Sequence, residues 1–188
     1  MTTLPVIDQS WTLYLDRDGV INHEKKEDYI RNSSEFVFYD DSLEALAILA
    51  AQFSRIIIVT NQKGIGKGLM TTDDLTDIHT GMTETITASG GRIDRIYYCA
   101  DLADDSPNRK PQHGMALQAQ ADYPEIIPAK TIMVGNRLSD MQFGRNAGAF
   151  TVYLATTHPE TPDPHPLIDA RFNNLLDFAK AVTASPAG

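Results

Sequence analysis

The run RIIIVT at residues 55–60 restricts the fold of this chain more than any other stretch. A strand turns alternate side chains to opposite faces, so the β-branched residues Ile56, Ile57, Ile58 and Val59 need apolar cover on both sides. Helices on the two faces of a parallel sheet provide it. The rest of the chain has matching parts. Further strands are expected at 11–15, 94–99, 131–134 and 150–154, with an edge strand at 170–172 and a short strand or hairpin at 35–39 (EFVFY). Between them, Leu43, Leu46, Ala47, Leu49 and Ala50 recur at helical spacing behind Asp41 and Ser42, predicting a helix over 42–52. Thr71 or Thr72, followed by Asp73 and Asp74, opens a second helix that Gly90 and Gly91 stop. Shorter helices are expected at 113–121, up to 147 before Gly148, and from Asn173 or Asn174 to 183. The alternation predicts an α/β chain forming one domain over 1–188, a Rossmann-like, doubly wound parallel sheet in three layers. Residues 1–10 read as a loose leader.

Several function classes are excluded early. The net charge is −9, with 16 basic against 25 acidic residues, which opposes nucleic-acid binding. No apolar stretch approaches the roughly 20 residues of a membrane span, and MTTLPVIDQS lacks the regions of a secretory signal. The single cysteine, Cys99, excludes an internal disulfide, so a monomer in a reducing cytoplasm is expected. The basic residues are placed unevenly. Arg17, Lys25, Lys26, Lys63, Lys67, Arg109, Lys110 and Arg137 fall in segments that follow strands, which predicts a rim that binds a small anion.

At residues 11–22, WTLYLDRDGVIN, a buried strand gives way to Asp16 and Asp18 ahead of Gly19. A solvated turn is one reading, since Asp and Gly are ordinary turn residues. A calcium loop is excluded because Val20 and Ile21 occupy its fifth and sixth positions. The remaining reading is nucleophilic catalysis: Asp16 attacks a phosphoryl group and Asp18 serves as general acid, then base. A magnesium ion would then be needed between the carboxylates and the phosphate. The strand at 55–60 ends in Thr60, Asn61, Gln62 and Lys63, a hydroxyl and amides followed by a flexible basic loop; the P-loop pattern fails at Asn61 and Gly68. Arg109, Lys110 and Pro111 follow a third strand, and Gly135, Asn136, Arg137 and Asp140 a fourth. Residues 156–166, with His158 and His165, read as a loop and not a metal site. In an open parallel sheet all four groups reach the same edge, where ligands bind.

The segments LDRDGVIN, VTN, RKP and VGNRLSD resemble, in order, the four motifs of the haloacid dehalogenase superfamily, across nearly the whole chain. DRDGVIN, VTNQKGIGKG, DRIYYC, RKP and DMQFGRNAGA look most like its small histidinol-phosphate and heptose-bisphosphate phosphatases, in subfamily IIIA. The resemblance implies a magnesium-dependent phosphomonoesterase for a small phosphorylated metabolite. The expected substrate is a sugar phosphate such as a heptose bisphosphate, cleaved through an aspartyl phosphate. A histidinol-phosphate-type phosphatase and a catalytically weak phosphometabolite-binding protein are the alternatives. Asp16 would be nucleophile and metal ligand, and Asp18 the acid/base with its carbonyl on the metal. Thr60 would donate to the phosphoryl group, and Lys110 would balance charge. Asn136 would take the remaining metal position, with Asp140 compensating for its neutrality. Asn61, Gln62, Lys63, Arg109 and Arg137 would contact substrate. The short interval between Asp16 and Thr60 leaves no room for a separate cap domain, so loops at 22–34, 62–70 and 100–109 would set specificity.

Two departures stand out. Where the heptose phosphatases carry a zinc loop of form CxH and then CxCRKP, this chain has Cys99, Asp101, Ser106 and Asn108, which predicts no zinc. Asn136 stands where the family motif has Asp, and an amide should hold a hard cation less tightly.

Overall fold

A computed structural model describes residues 3–184. Six strands, β1 (Thr12–Leu15), β2 (Arg55–Asn61), β3 (Arg95–Cys99), β4 (Thr131–Gly135), β5 (Phe150–Leu154) and β6 (Ala170–Phe172), form one wholly parallel sheet in the order β3-β2-β1-β4-β5-β6. The helices are α1 (Ser42–Gln52), α2 (Lys63–Gly66), α3 (Thr72–Ala88), α4 (Gly114–Asp122), α5 (Leu138–Ala147) and α6 (Leu175–Ala184). Thr71 caps α3 through a reciprocal pair with Asp74, the arrangement its sequence implies. Asn174 caps α6 by accepting from the Asp177 amide at 2.7 Å.

The two-faced burial of β2 divides the core. Ile56 and Ile58 join Leu13, Leu15, Ile132, Val134, Val152 and Leu154 under α1, α3 and α6. Ile57 and Val59 turn the other way with Tyr14, Met133, Tyr97 and Cys99, under α4 and α5. Ile56, Ile57, Ile58 and Val59 are fully buried, so truncating any one to Ala would cost about 2–5 kcal/mol. The chain winds outward from β1 to β3, then crosses back to place β4 on the other side of β1. That reversal opens a crevice between the carboxyl ends of β1 and β4.

Two local expectations are corrected. The segment at 35–39 forms no hairpin; a single 3-10 turn at Ser33–Glu35 leads to an isolated antiparallel bridge between Asn22 and Phe38. The basic loop after β2 contains the one-turn helix α2, behind a buried Gln62. In the stretch read as a leader, Leu4 and Ile7 pack on the core and Gln9 donates to the Ala51 carbonyl, while Met1 and Thr2 lie outside the described residues. Ile30, in the polar stretch at 23–34, is buried with Met70, Leu75 and Ile78, which holds that stretch over the crevice.

Candidate active site

Asp16 is the first residue beyond β1, and its amide donates to the Val134 carbonyl at 3.0 Å, so its carboxylate emerges where β1 and β4 part. The turn that follows lies against β4's end. Gly19 adopts left-handed backbone (φ +83), and a Cβ there would fall 2.1 Å from Asn136 Nδ2, so glycine meets two constraints at once.

Lys110 arrives from the loop after β3. Asn61, the last residue of β2, grips its backbone at both ends, donating to the Lys110 carbonyl at 3.1 Å and accepting from its amide at 3.0 Å. Asn61 thus spends its side chain on positioning the lysine. The buried ammonium lies 2.9 Å from Asp16 Oδ1 and 2.7 Å from Asp140 Oδ1. The other oxygen of Asp140 accepts the Asn136 and Arg137 amides (3.2 and 3.0 Å) at the start of α5. Both Asp140 oxygens are therefore engaged, one by the Lys110 ammonium and the other by the two amides. Gly135 makes this approach possible: a Cβ on it would lie 2.3 Å from Asp140 Cβ.

Charge follows from burial. Burial pushes the Asp16 carboxyl up to about 7, with the Lys110 ammonium pulling it down and Asp140 adding to the rise. For Lys110 burial opposes the charge, but the Asp140 and Asp16 carboxylates outweigh it and raise its pKa.

Asp18 stands beside a fully buried Arg17, which donates to both its oxygens (2.8 and 2.9 Å); Asn22 and Gln62 add bonds of 2.9 and 3.1 Å. Burial alone would raise its pKa; Arg17 and the amides outweigh that and lower it, so Asp18 is held ionised, ready to accept a proton. Gln62 also donates to Thr60 Oγ1 at 2.9 Å, leaving the threonine's own proton free for a ligand. Arg17, expected at the anion rim, instead points inward, within 3.1 Å of His79 Nε2 on α3. Burial, then the Arg17 charge, push His79 down to about 4 and keep it neutral.

Above this floor is a cavity of about 540 Å³, walled by segments within 24–30, 61–63, 104–111 and 137–140. Its outer charges pair among themselves. Lys63 and Arg109 both meet the exposed Asp104 (3.2 and 3.3 Å), Arg137 meets Glu24 (3.1 Å) and Lys25 meets Glu35 (2.7 Å). Asn136 is fully buried; its Nδ2 donates to Thr157 Oγ1 at 2.7 Å and lies 3.4 Å from Glu24 Oε2, while its Oδ1 has no hydrogen-bond partner. Among the described residues no three His, Cys, Asp or Glu side chains converge as a metal cluster. At the former zinc-loop positions, Ser106 donates to Asp101, and burial raises the Cys99 thiol pKa. Sequence reasoning gave no role to Asn22, Glu24, Asp104 or Thr157. Asn22 lies inside the DRDGVIN segment, and Glu24 and Asp104 lie inside two of the loops expected to set specificity, whereas nothing in the sequence marked Thr157.

A carboxylate and an ammonium paired at the switch point of a parallel sheet, with a hydroxyl at the next strand's end, match the arrangement expected of the haloacid dehalogenase superfamily. Comparison with known proteins agrees. Residues 13–172 match the family model described as polynucleotide kinase 3 phosphatase. The chain is 35% identical over 173 residues to a D-glycero-alpha-D-manno-heptose-1,7-bisphosphate 7-phosphatase of Mycobacterium tuberculosis, covering 92% of this chain and 91% of the relative. It superposes with TM-score 0.84 and 26% identity on the D,D-heptose 1,7-bisphosphate phosphatase of B. bronchiseptica complexed with magnesium and phosphate, covering 94% and 99% of the two chains. L-2-haloacid dehalogenase from Xanthobacter autotrophicus, 12% identical with TM-score 0.60, shares the fold. The chain belongs to the haloacid dehalogenase superfamily, in the phosphatase family that includes the heptose-1,7-bisphosphate 7-phosphatases.

Proposed function

We propose that this protein hydrolyses a phosphate monoester of a small sugar, such as a heptose bisphosphate, with Asp16 as nucleophile. The observation that carries the reading is the buried Asp16–Lys110–Asp140 series at the crevice floor. An Asp16 oxygen attacks phosphorus, the bond from phosphorus to the sugar oxygen breaks, and that oxygen leaves with a proton from Asp18. Water then attacks the aspartyl phosphate and gives its proton to Asp18; the bond to Asp16 breaks and phosphate is released. Donation in the first half requires Asp18 to take up a proton and loosen its hold on Arg17; acceptance in the second uses the ionised form that Arg17 favours. Lys110 balances charge on the transferring group, and the Thr60 hydroxyl donates to it. Gln62 positions Thr60 and Asp18 together. Lys63, Arg109 and Arg137, at the cavity wall, contact the rest of the substrate.

Magnesium fits this donor set. The Asp16 carboxylate, the Asp18 carbonyl and Asn136 Oδ1 would hold it, and a buried acceptor without a donor is what a hard cation satisfies. The ion would draw the dianionic phosphate to the acidic floor and neutralise charge during transfer. One thiol with Asp, Ser and Asn is a poor zinc donor set, so we assign no zinc. No described helix is long and apolar enough to cross a membrane; a single-domain monomer in the cytoplasm completes the proposal.

The test is phosphate release from a panel of sugar phosphates and phosphorylated alcohols, with magnesium titrated and EDTA as control. Saturation with magnesium and preference for one sugar phosphate supports the reading. Silence from folded protein at high magnesium defeats it.

A further inference from the structure

The Asn136 amide has two unlike ends, and its surroundings decide which one is left without a partner. Glu24 can only accept, so the amide end beside it at 3.4 Å is the nitrogen. Thr157 Oγ1 takes a second, shorter bond from that nitrogen, 2.7 Å. Glu24 is itself held: its side chain is only 17% exposed, and Arg137 Nη2 lies 3.1 Å from each of its oxygens. Thr157 belongs to the segment after β5, and its neighbour Thr156 donates to the Gly19 carbonyl at 2.6 Å, tying that segment to the catalytic turn. The remaining end of the amide, Oδ1, is buried without a donor.

We propose that Thr157 and Glu24 are positioning residues for magnesium, holding Asn136 Nδ2 so that Oδ1 is the end presented to the cation. The inference rests on the magnesium-dependent reading above. A carboxylate at this position would have two equivalent oxygens and need no such orientation. An amide does need it, because its NH2 end repels a cation. Donation to a carboxylate also polarises the amide and enriches Oδ1, so Glu24 returns to the site part of the negative charge that Asn136 lacks. The same placement makes Glu24 a liability to an aspartate at 136, since two carboxylates would then crowd together beside one arginine.

Magnesium binding by isothermal titration calorimetry tests this on the full chain, using magnesium chloride alone. Metal-free melting curves establish that each variant folds. Thr157→Val removes the acceptor and should weaken the magnesium Kd about tenfold, the scale on which supporting partners act, while Thr157→Ser should stay within about twofold. Glu24→Gln should weaken binding in the natural background but tighten it in the N136D background. A merely structural role for Glu24 would not reverse sign. Folded T157V and E24Q proteins with the natural Kd, or an E24Q effect of one sign in both backgrounds, would overturn the proposal, as would natural protein that binds no magnesium. Natural protein that binds magnesium but releases no phosphate would defeat the phosphatase reading alone, leaving the Kd ratios to judge this one.

Discussion

The crevice floor and the cavity rim use the same chemical groups to different ends. On the floor, Lys110 is shared between Asp16 and Asp140 with almost no exposure, its backbone held by the Asn61 side chain and Asp140 held by amides at the start of α5. On the rim, Lys63 and Arg109 meet Asp104, whose side chain is 86% exposed on a loop. Buried ion pairs cannot exchange partners without leaving a charge stranded, whereas exposed ones exchange readily with solvent or ligand. The floor is therefore suited to chemistry and the rim to recognition.

The widest separation of the two regions should come from Asp16→Asn. It should abolish phosphate release, by at least about 10⁴-fold, while melting stays near normal, because removing a nucleophile removes the covalent route. Asp18→Asn should slow turnover by about 10²–10⁴-fold, the usual contribution of a proton shuttle, in single-turnover assays. In stability the contrast is Lys110→Met against Lys63→Met. The first strands two buried carboxylates and should cost about 3–5 kcal/mol in urea unfolding; the second should stay within about 0.5 kcal/mol.

A pH series sharpens the comparison from beneath the floor. His79 has a folded pKa of about 4, below its ordinary 6.5. Between these values the unfolded chain binds a proton that the folded chain refuses, so the His79 contribution is fully present above pH 6.5 and is lost as pH drops toward 4, against an opposite contribution from the raised Asp16 carboxyl. The His79 share should appear as a difference of about 1–3 kcal/mol between the pH profiles of the natural protein and His79→Gln in unfolding curves. The smallest effect belongs to the rim. Asp104→Ala frees Lys63 and Arg109 and should lower KM for an anionic sugar phosphate about 1.5- to 5-fold at low salt, with the gain fading as salt rises. An unchanged KM would mean that these cations face no part of the substrate.

Much of this was legible because it is periodic or local. RIIIVT announces a strand covered on both faces, Thr71 with Asp74 announces a helix start, and each site motif follows a strand, so the sheet's topology carries Asp16, Thr60, Lys110 and Asn136 to one edge. Short polar segments were less legible. EFVFY has the alternation of a strand, but Ile30 and the α3 packing claim its surroundings, and its pairing with the segment around Asn22 is limited to one isolated bridge.

What the chain determined by itself is which chemical groups reach the crevice, since strand periodicity and loop position settle that. Only the tertiary structure decided what each group does there. Arg17, which composition counts among the rim's cations, turns inward because Asp18 and His79 receive it from a turn and a distant helix. Asp140 serves Lys110, Asn61 clamps the same lysine, and Asn136 is oriented by Glu24 and Thr157, residues 112 and 21 positions away. The physical reason is directional: hydrogen bonds and ion pairs depend on distances of a few ångströms between segments far apart in the chain, and no local pattern encodes those distances.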